Sequence, residues 1–100
     1  MGFSTIEKKG IPRFLIDESI PPERLSMHRS LLSAGSRSHD PHTHEGTEGF
    51  YILSGTAIIE SGNDVIVLAT GESIVVDCAT PHAIRNNAAV NLEYLVVNTR

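Results

Sequence analysis

One hundred residues, 40 % hydrophobic and 20 % charged, describe one globular domain with a single core. A net charge of -4, with 8 lysines and arginines that form no cluster, argues against nucleic acid as a partner, and a single cysteine rules out an internal disulfide framework. No apolar run approaches the roughly 18 residues of a membrane span. The opening MGFSTIEKKG lacks the basic start and long apolar stretch of a signal peptide, and Ile6 breaks a myristoylation pattern, so the expected setting is cytoplasmic with no membrane partner.

Short apolar runs are separated by turn residues along the whole chain, the pattern of an all-β fold. Ile11 to Ile16 reads as a first strand inside an N-terminal arm, residues 1–22, that ends at the breaker Pro21-Pro22. Leu25, Met27 and Leu31 alternate with Ser26, His28 and Ser30, so a second strand carries one apolar face, expected to meet the core. Ser33 to Ser38 is a loop. EGFYILSG and TAIIE are strands on either side of Gly55, and SGND between TAIIE and VIVL marks a hairpin. ATGE turns the chain into SIVV, and HAIRN and NLEYLVVN complete the series. Eight to ten short antiparallel strands in so small a domain must close on themselves or pair as two sheets, because open edges invite aggregation. The expected architecture is a small barrel or jelly roll.

The chemistry concentrates in HTHEGTEGFYILSG. His42 and His44 share a face of an extended chain, Glu48 keeps the same parity, and a bend at Gly46 would return Glu48 to the same point. Two imidazoles and a carboxylate converging on one point form a metal-binding set with open positions. His82, in TPHAIRN, is a fourth candidate. A lone histidine is more often a polar surface residue, and His28 and His39 are read that way; Glu45 points away from the set and is read as solvated.

These residues resemble the cupin superfamily, and in particular its small single-domain bacterial members. The spacing from His42 through His44 and Glu48 to Gly55 matches the first cupin motif, and Gly71, His82 and Asn86 match the second. The fifteen residues between Gly55 and Gly71 look like the short gap of small cupins. The likeness spans residues 35–86. It departs at Gly35, one residue too far from His42, and at Asp77 and Ala79, which stand where the family has proline and glycine. It implies a cupin jelly roll of two antiparallel sheets, a double-stranded β-helix, with His42, His44, Glu48 and His82 holding one divalent transition metal: Fe, Mn, Ni, Zn or Cu.

Inward parity adds Phe50, Ile52, Ile84 and Asn86, each either a substrate contact or plain core. Arg29 lies in line with Leu25, Met27 and Leu31; it is either an inward carboxylate clamp or a solvent-facing residue at a bulge. Tyr94 either reaches the site as a proton donor or packs in the sheet. Asp40 has the parity to orient a ligand histidine, unless Pro41 breaks the strand. Cys78 reads as a small buried hydrophobe rather than a nucleophile. The resulting expectation is a metalloenzyme acting on a small organic substrate by oxygenase-type or isomerase/lyase-type chemistry, dioxygenase-like first among these. The alternative is a non-catalytic module that binds metal or a small ligand, as a sensor or carbohydrate binder. Tyr51 and Leu53 point opposite to Glu48, and Leu95 and Val97 form a similar stripe. Such apolar outer faces, together with Phe14, Leu15 and Ile16 as an exchangeable strand, predict a homodimer.

Overall fold

The computed structural model describes residues 3–6, 14–17, 19–21, 24–38 and 40–99. Among them every regular element is a strand: β1 (Phe3–Ile6), β2 (Phe14–Asp17), β3 (Ser26–Leu32), β4 (Thr47–Ser54), β5 (Thr56–Ser61), β6 (Asp64–Ala69), β7 (Ser73–Asp77), β8 (His82–Arg85) and β9 (Leu92–Thr99). From β3 onward these follow the apolar runs of the sequence closely. β1 is an addition to the expected strands; of the expected first strand, Phe14 to Ile16 lie in β2, while residues 11–13 lie outside the described ones. No helix among the described residues is long and apolar enough to cross a membrane.

The strands form a four-stranded sheet, β3-β9-β4-β7, a three-stranded sheet, β6-β5-β8, and the separate hairpin β1-β2. All pairings are antiparallel, and β4 sits between two strands that are remote in sequence. This is the jelly-roll arrangement of two sheets. Gly55 makes the corner that carries the chain from β4 in one sheet to β5 in the other. Its φ is +97°, and a Cβ there would stand 2.9 Å from the Asn91 carbonyl oxygen, so only glycine fits.

The two sheets enclose one core. Leu32, Phe50, Ile52, Leu92, Tyr94 and Val96 come from the larger sheet, and Ala57, Ile59, Leu68 and Ile84 from the smaller. Burying each of the large aliphatic side chains is worth about 1.5–3 kcal/mol. Phe50, Ile52 and Ile84 therefore belong to the packed core, the plainer of their two expected roles.

β3 reverses the expected orientation. Its apolar residues point outward, with Met27 50 % and Leu31 48 % exposed, while His28 at 7 % and Ser30 at 4 % face the interior. The ladder to β9 decides this: Ser30 pairs with inward Tyr94 and Arg29 with Leu95, whose side of β9 faces out. Alternation shows which residues share a face, and only the neighbouring strand shows which face is inside. Arg29 accordingly lies on the outer surface, its Nε 2.8 Å from Glu93 Oε1. The inward carboxylate clamp is thereby corrected, and so is the reading of His28 as a surface residue. His39 lies outside the described residues.

On the same outer face lie Tyr51 and Leu53, as parity requires, with Val75 at 72 % exposure. Leu95 and Val97 join Tyr51 and Val75 around a shallow apolar groove of ≈ 340 Å³.

Candidate metal centre

The two segments that precede β4 and β8 lie side by side. His42 N donates to His82 O at 3.2 Å and His82 N to His42 O at 3.0 Å. His44 N donates to Cys78 O at 2.9 Å, and Cys78 N to Gly46 O at 3.1 Å. Residues two apart on such an extended pair project to one side, which sets His42 and His44 beside His82. Gly46, with φ of 97°, then turns the chain into β4, and Glu48 comes back to the same point.

Three imidazole rings meet there almost symmetrically. Their centroids are 5.1 Å apart for His42 and His44, 4.9 Å for His42 and His82, and 4.9 Å for His44 and His82. Glu48 Oε2 lies 3.1 Å from His82 Nε2 and 3.4 Å from His44 Nε2. The far side of each of these two rings is also held: His82 Nδ1 is 2.9 Å from Thr80 O, and His44 Nδ1 is 2.9 Å from Glu45 O. A carbonyl oxygen only accepts, so each Nδ1 carries a hydrogen and each Nε2 turns its free position toward Glu48. A nitrogen lone pair facing a carboxylate is repulsive unless a cation lies between them, either a proton or a metal ion. Backbone carbonyls on the outer nitrogens are the usual support for metal-binding imidazoles. The donor chemistry fits a divalent transition metal.

A family model for the cupin domain matches residues 28–98. The chain belongs to the cupin family. No curated protein matches it at a significant level. Among solved structures, TT1209 from Thermus thermophilus is 26 % identical, with a TM-score of 0.73 over 97 % of this chain and 82 % of that one. A cupin from Bacteroides fragilis has a TM-score of 0.76 at 18 % identity, over 100 % of this chain and 86 % of that one, and so shares the fold. A protein from Acidithiobacillus ferrooxidans, provisionally assigned as a sugar phosphate isomerase, is 29 % identical with a TM-score of 0.68. That match covers 77 % of this chain but 51 % of the other, so this cupin spans about half of that protein's length.

Around the cluster, the cupin's interior grades from polar to apolar. On the β4-β9 ladder Glu48 pairs with Asn98, Phe50 with Val96 and Ile52 with Tyr94, so the polar end is at Glu48. Asn98 Oδ1 is buried there with no hydrogen-bond partner among the described residues. Sequence parity missed His28 and Ser30, which face the interior, and Asn98 and Cys78, which lie beside Glu48. A signal for the first two was present, since His28 and Ser30 alternate as regularly as the apolar residues beside them.

Tyr94 is buried, its ring 6.1 Å from Phe50, and its hydroxyl bonds to Ser30. Burial pushes its hydroxyl above the ordinary 10.0, with the Glu48 charge adding to the rise and Ser30 opposing it. Tyr94 therefore faces the interior as a neutral hydroxyl. Cys78 is fully buried, as expected, but beside a carboxylate rather than in the apolar cluster: its Sγ lies 3.6 Å from Glu48 Oε2. Burial first, then the Glu48 charge and hydrogen bond, push its thiol up to about 11.

Asn86 takes a different part from the expected substrate contact. Its Nδ2 donates to Leu32 O at 3.1 Å, Ser33 O at 3.2 Å and Val90 O at 2.7 Å, and its Oδ1 accepts from Ala88 N at 3.0 Å. Both amide hydrogens and one acceptor position of Oδ1 go to backbone, so Asn86 fastens the chain around it instead of facing a ligand. Asp40 is exposed. The remaining arginines near the barrel are also outside it: Arg37 Nη2 is 2.9 Å and Arg85 Nε 3.3 Å from Glu60 Oε1, on the outer side of the smaller sheet.

Proposed function

We propose that this cupin is a metalloenzyme that acts on a small hydroxylated or carbonyl-bearing organic substrate, its divalent metal held by His42, His44, Glu48 and His82. The observation that carries this reading is the convergence of three imidazoles and one carboxylate at the polar end of the interior between the two sheets, with two Nε2 positions aimed at Glu48. When bound, the metal would supply Lewis acidity toward a substrate oxygen or, for a redox-active ion, chemistry with dioxygen. The chain's own residues do the rest. Phe50, Ile84 and Val96 exclude water from the inner wall. Asn98 offers an uncommitted carbonyl oxygen to a substrate hydroxyl. Tyr94, neutral and anchored by Ser30, donates a proton or hydrogen bond to a substrate oxygen.

Isomerase-type proton transfer takes precedence over oxygenation here, supported by the 29 % identical protein assigned to sugar phosphate isomerisation. The resemblance does not extend to a phosphate clamp. Among the described residues Arg29, Arg37 and Arg85 are held outside by Glu93 and Glu60, which favours an uncharged polyhydroxylated or α-hydroxycarbonyl substrate over a phosphorylated one. The free, buried Cys78 supports a reducing, cytoplasmic setting. The apolar outer face of the larger sheet supports pairing with a second copy.

A non-catalytic metal- or ligand-binding role has one observation in its favour: outside the cluster, the described interior offers few acid–base groups, namely Tyr94, His28 and Cys78. Elemental analysis of purified protein, followed by turnover screens of hydroxycarbonyl compounds with and without oxygen, separates the readings. Isomerisation that proceeds without oxygen supports the proposal, and oxygen uptake moves it to the oxygenase class. Bound metal without turnover moves it to the binding role. Protein purified without metal that also takes up none on addition would overturn it.

A further inference from the structure

Cys78 has a setting that its role as a small buried hydrophobe does not account for. Its side chain is fully buried, yet it lies outside the contiguous apolar cluster and against the Glu48 carboxylate, 3.6 Å from Oε2. An alanine or valine would serve better against apolar walls, and a charged oxygen is a poor neighbour for a residue kept only for packing. Its backbone is part of the same paired segment that carries the histidines, joined to His44 and Gly46. The sulfur is therefore placed as firmly as the imidazoles are.

We propose that Cys78 is itself a metal ligand, so that His44, Glu48, Cys78 and His82 form the inner donor set and exposed His42 is the outermost of five converging donors. This rests on the metal-centre reading above, puts Cys78 ahead of His42 in its donor set, and adds the class of ion. One donor atom from each of the four residues lies within 4.8 Å of the others. Tetrahedral coordination, with metal–N and metal–O bonds of about 2.1 Å and metal–S of about 2.3 Å, puts N–O pairs about 3.4 Å and S–O pairs about 3.6 Å apart. The observed separations from Glu48 Oε2 are 3.1 Å to His82 Nε2, 3.4 Å to His44 Nε2 and 3.6 Å to Cys78 Sγ. The three pairs through Glu48 thus stand near coordination spacing, and the remaining pairs lie within 4.8 Å. A thiolate among them selects thiophilic ions, Zn²⁺, Co²⁺ or copper, over Mg²⁺ and Mn²⁺. Without metal, the thiol S–H donates to Glu48. On binding, the S–H bond breaks, a metal–sulfur bond forms, and the proton leaves to solvent.

Cobalt spectroscopy on the full chain tests this without any activity assay. Metal-stripped native protein titrated with Co²⁺ should develop a near-ultraviolet sulfur-to-cobalt charge-transfer band with the visible bands of bound Co²⁺, saturating at one ion per chain. Cys78→Ser should keep the visible bands, lose the near-ultraviolet one, and bind Co²⁺ about ten-fold or more weakly. Visible bands in the native protein without the charge-transfer band would overturn the cysteine ligand and leave the histidine–carboxylate centre standing. Persistence of the band in Cys78→Ser would overturn it too. No Co²⁺ uptake by the native protein would overturn both. The native spectrum decides by itself, so poor folding of the serine variant does not blunt the test.

Discussion

His82 Nε2 on β8 lies 3.1 Å from Glu48 Oε2 on β4, so this contact of the candidate centre bridges the two sheets of the jelly roll. Thirty-four residues separate the pair in sequence. Neither strand could place both donors alone. The centre is therefore a product of sheet packing, and disturbing either partner should be read out in metal content before anything else.

His82→Ala and His44→Ala are expected to lose most bound metal, with affinity reduced by about a hundred-fold or more, since each removes a converging donor. Elemental analysis after gel filtration measures this. Stoichiometric metal in either variant would show that the histidines do not form the site.

Tyr94→Phe should keep its metal and its fold, losing about 1 kcal/mol with the Ser30 hydrogen bond. Turnover of any substrate found should fall by about a hundred-fold, the usual share of a positioned proton donor. Unchanged kcat in a metal-loaded variant would leave Tyr94 a packing residue.

Asn86→Ala should destabilise the protein by about 3 kcal/mol, because it strands three carbonyl oxygens and an amide that the side chain now satisfies. Thermal unfolding measures the loss. A variant of native stability with weakened substrate binding would reinstate Asn86 as a ligand contact.

Metal-free protein should weaken in alkali. The Cys78 thiol rises from 9.0 to about 11 and the Tyr94 hydroxyl rises from 10.0, so the unfolded chain gives up these protons first. Stability from both is fully present below pH 9.0 and is lost as pH climbs toward about 11. Denaturation midpoints across that range should fall, and less steeply in Cys78→Ala. A flat profile would mean that neither group is held neutral by the fold.

The chain should sediment as two copies at micromolar concentration, with the outer face of the β3-β9-β4-β7 sheet at the interface. Val75→Asp or Met27→Asp on that exposed apolar face should shift the mass to one copy without loss of metal. A single-chain mass for the native protein refutes the pairing.

The all-β class, the strands from β3 onward, the hairpin at Gly62-Asn63 and the histidine–glutamate cluster are legible in the amino-acid order alone. Each of these is written locally: in alternation, in turn residues, and in the spacing of His42, His44 and Glu48. What lies inside depends on strand pairing. Leu25, Met27, Arg29 and Leu31 share a face by period, but the period is blind to direction, and the β9 ladder turned that face outward and sent His28 and Ser30 in. Asn86 kept its motif spacing yet went to four backbone partners, the most distant of them, Leu32 at the end of β3, 54 residues away. Cys78 read as a small hydrophobe because nothing near it in the chain is a carboxylate pointing its way; Glu48 arrives from thirty residues upstream, across a strand pair. Local spacing sets which atoms can converge, and long-range pairing sets which of them do.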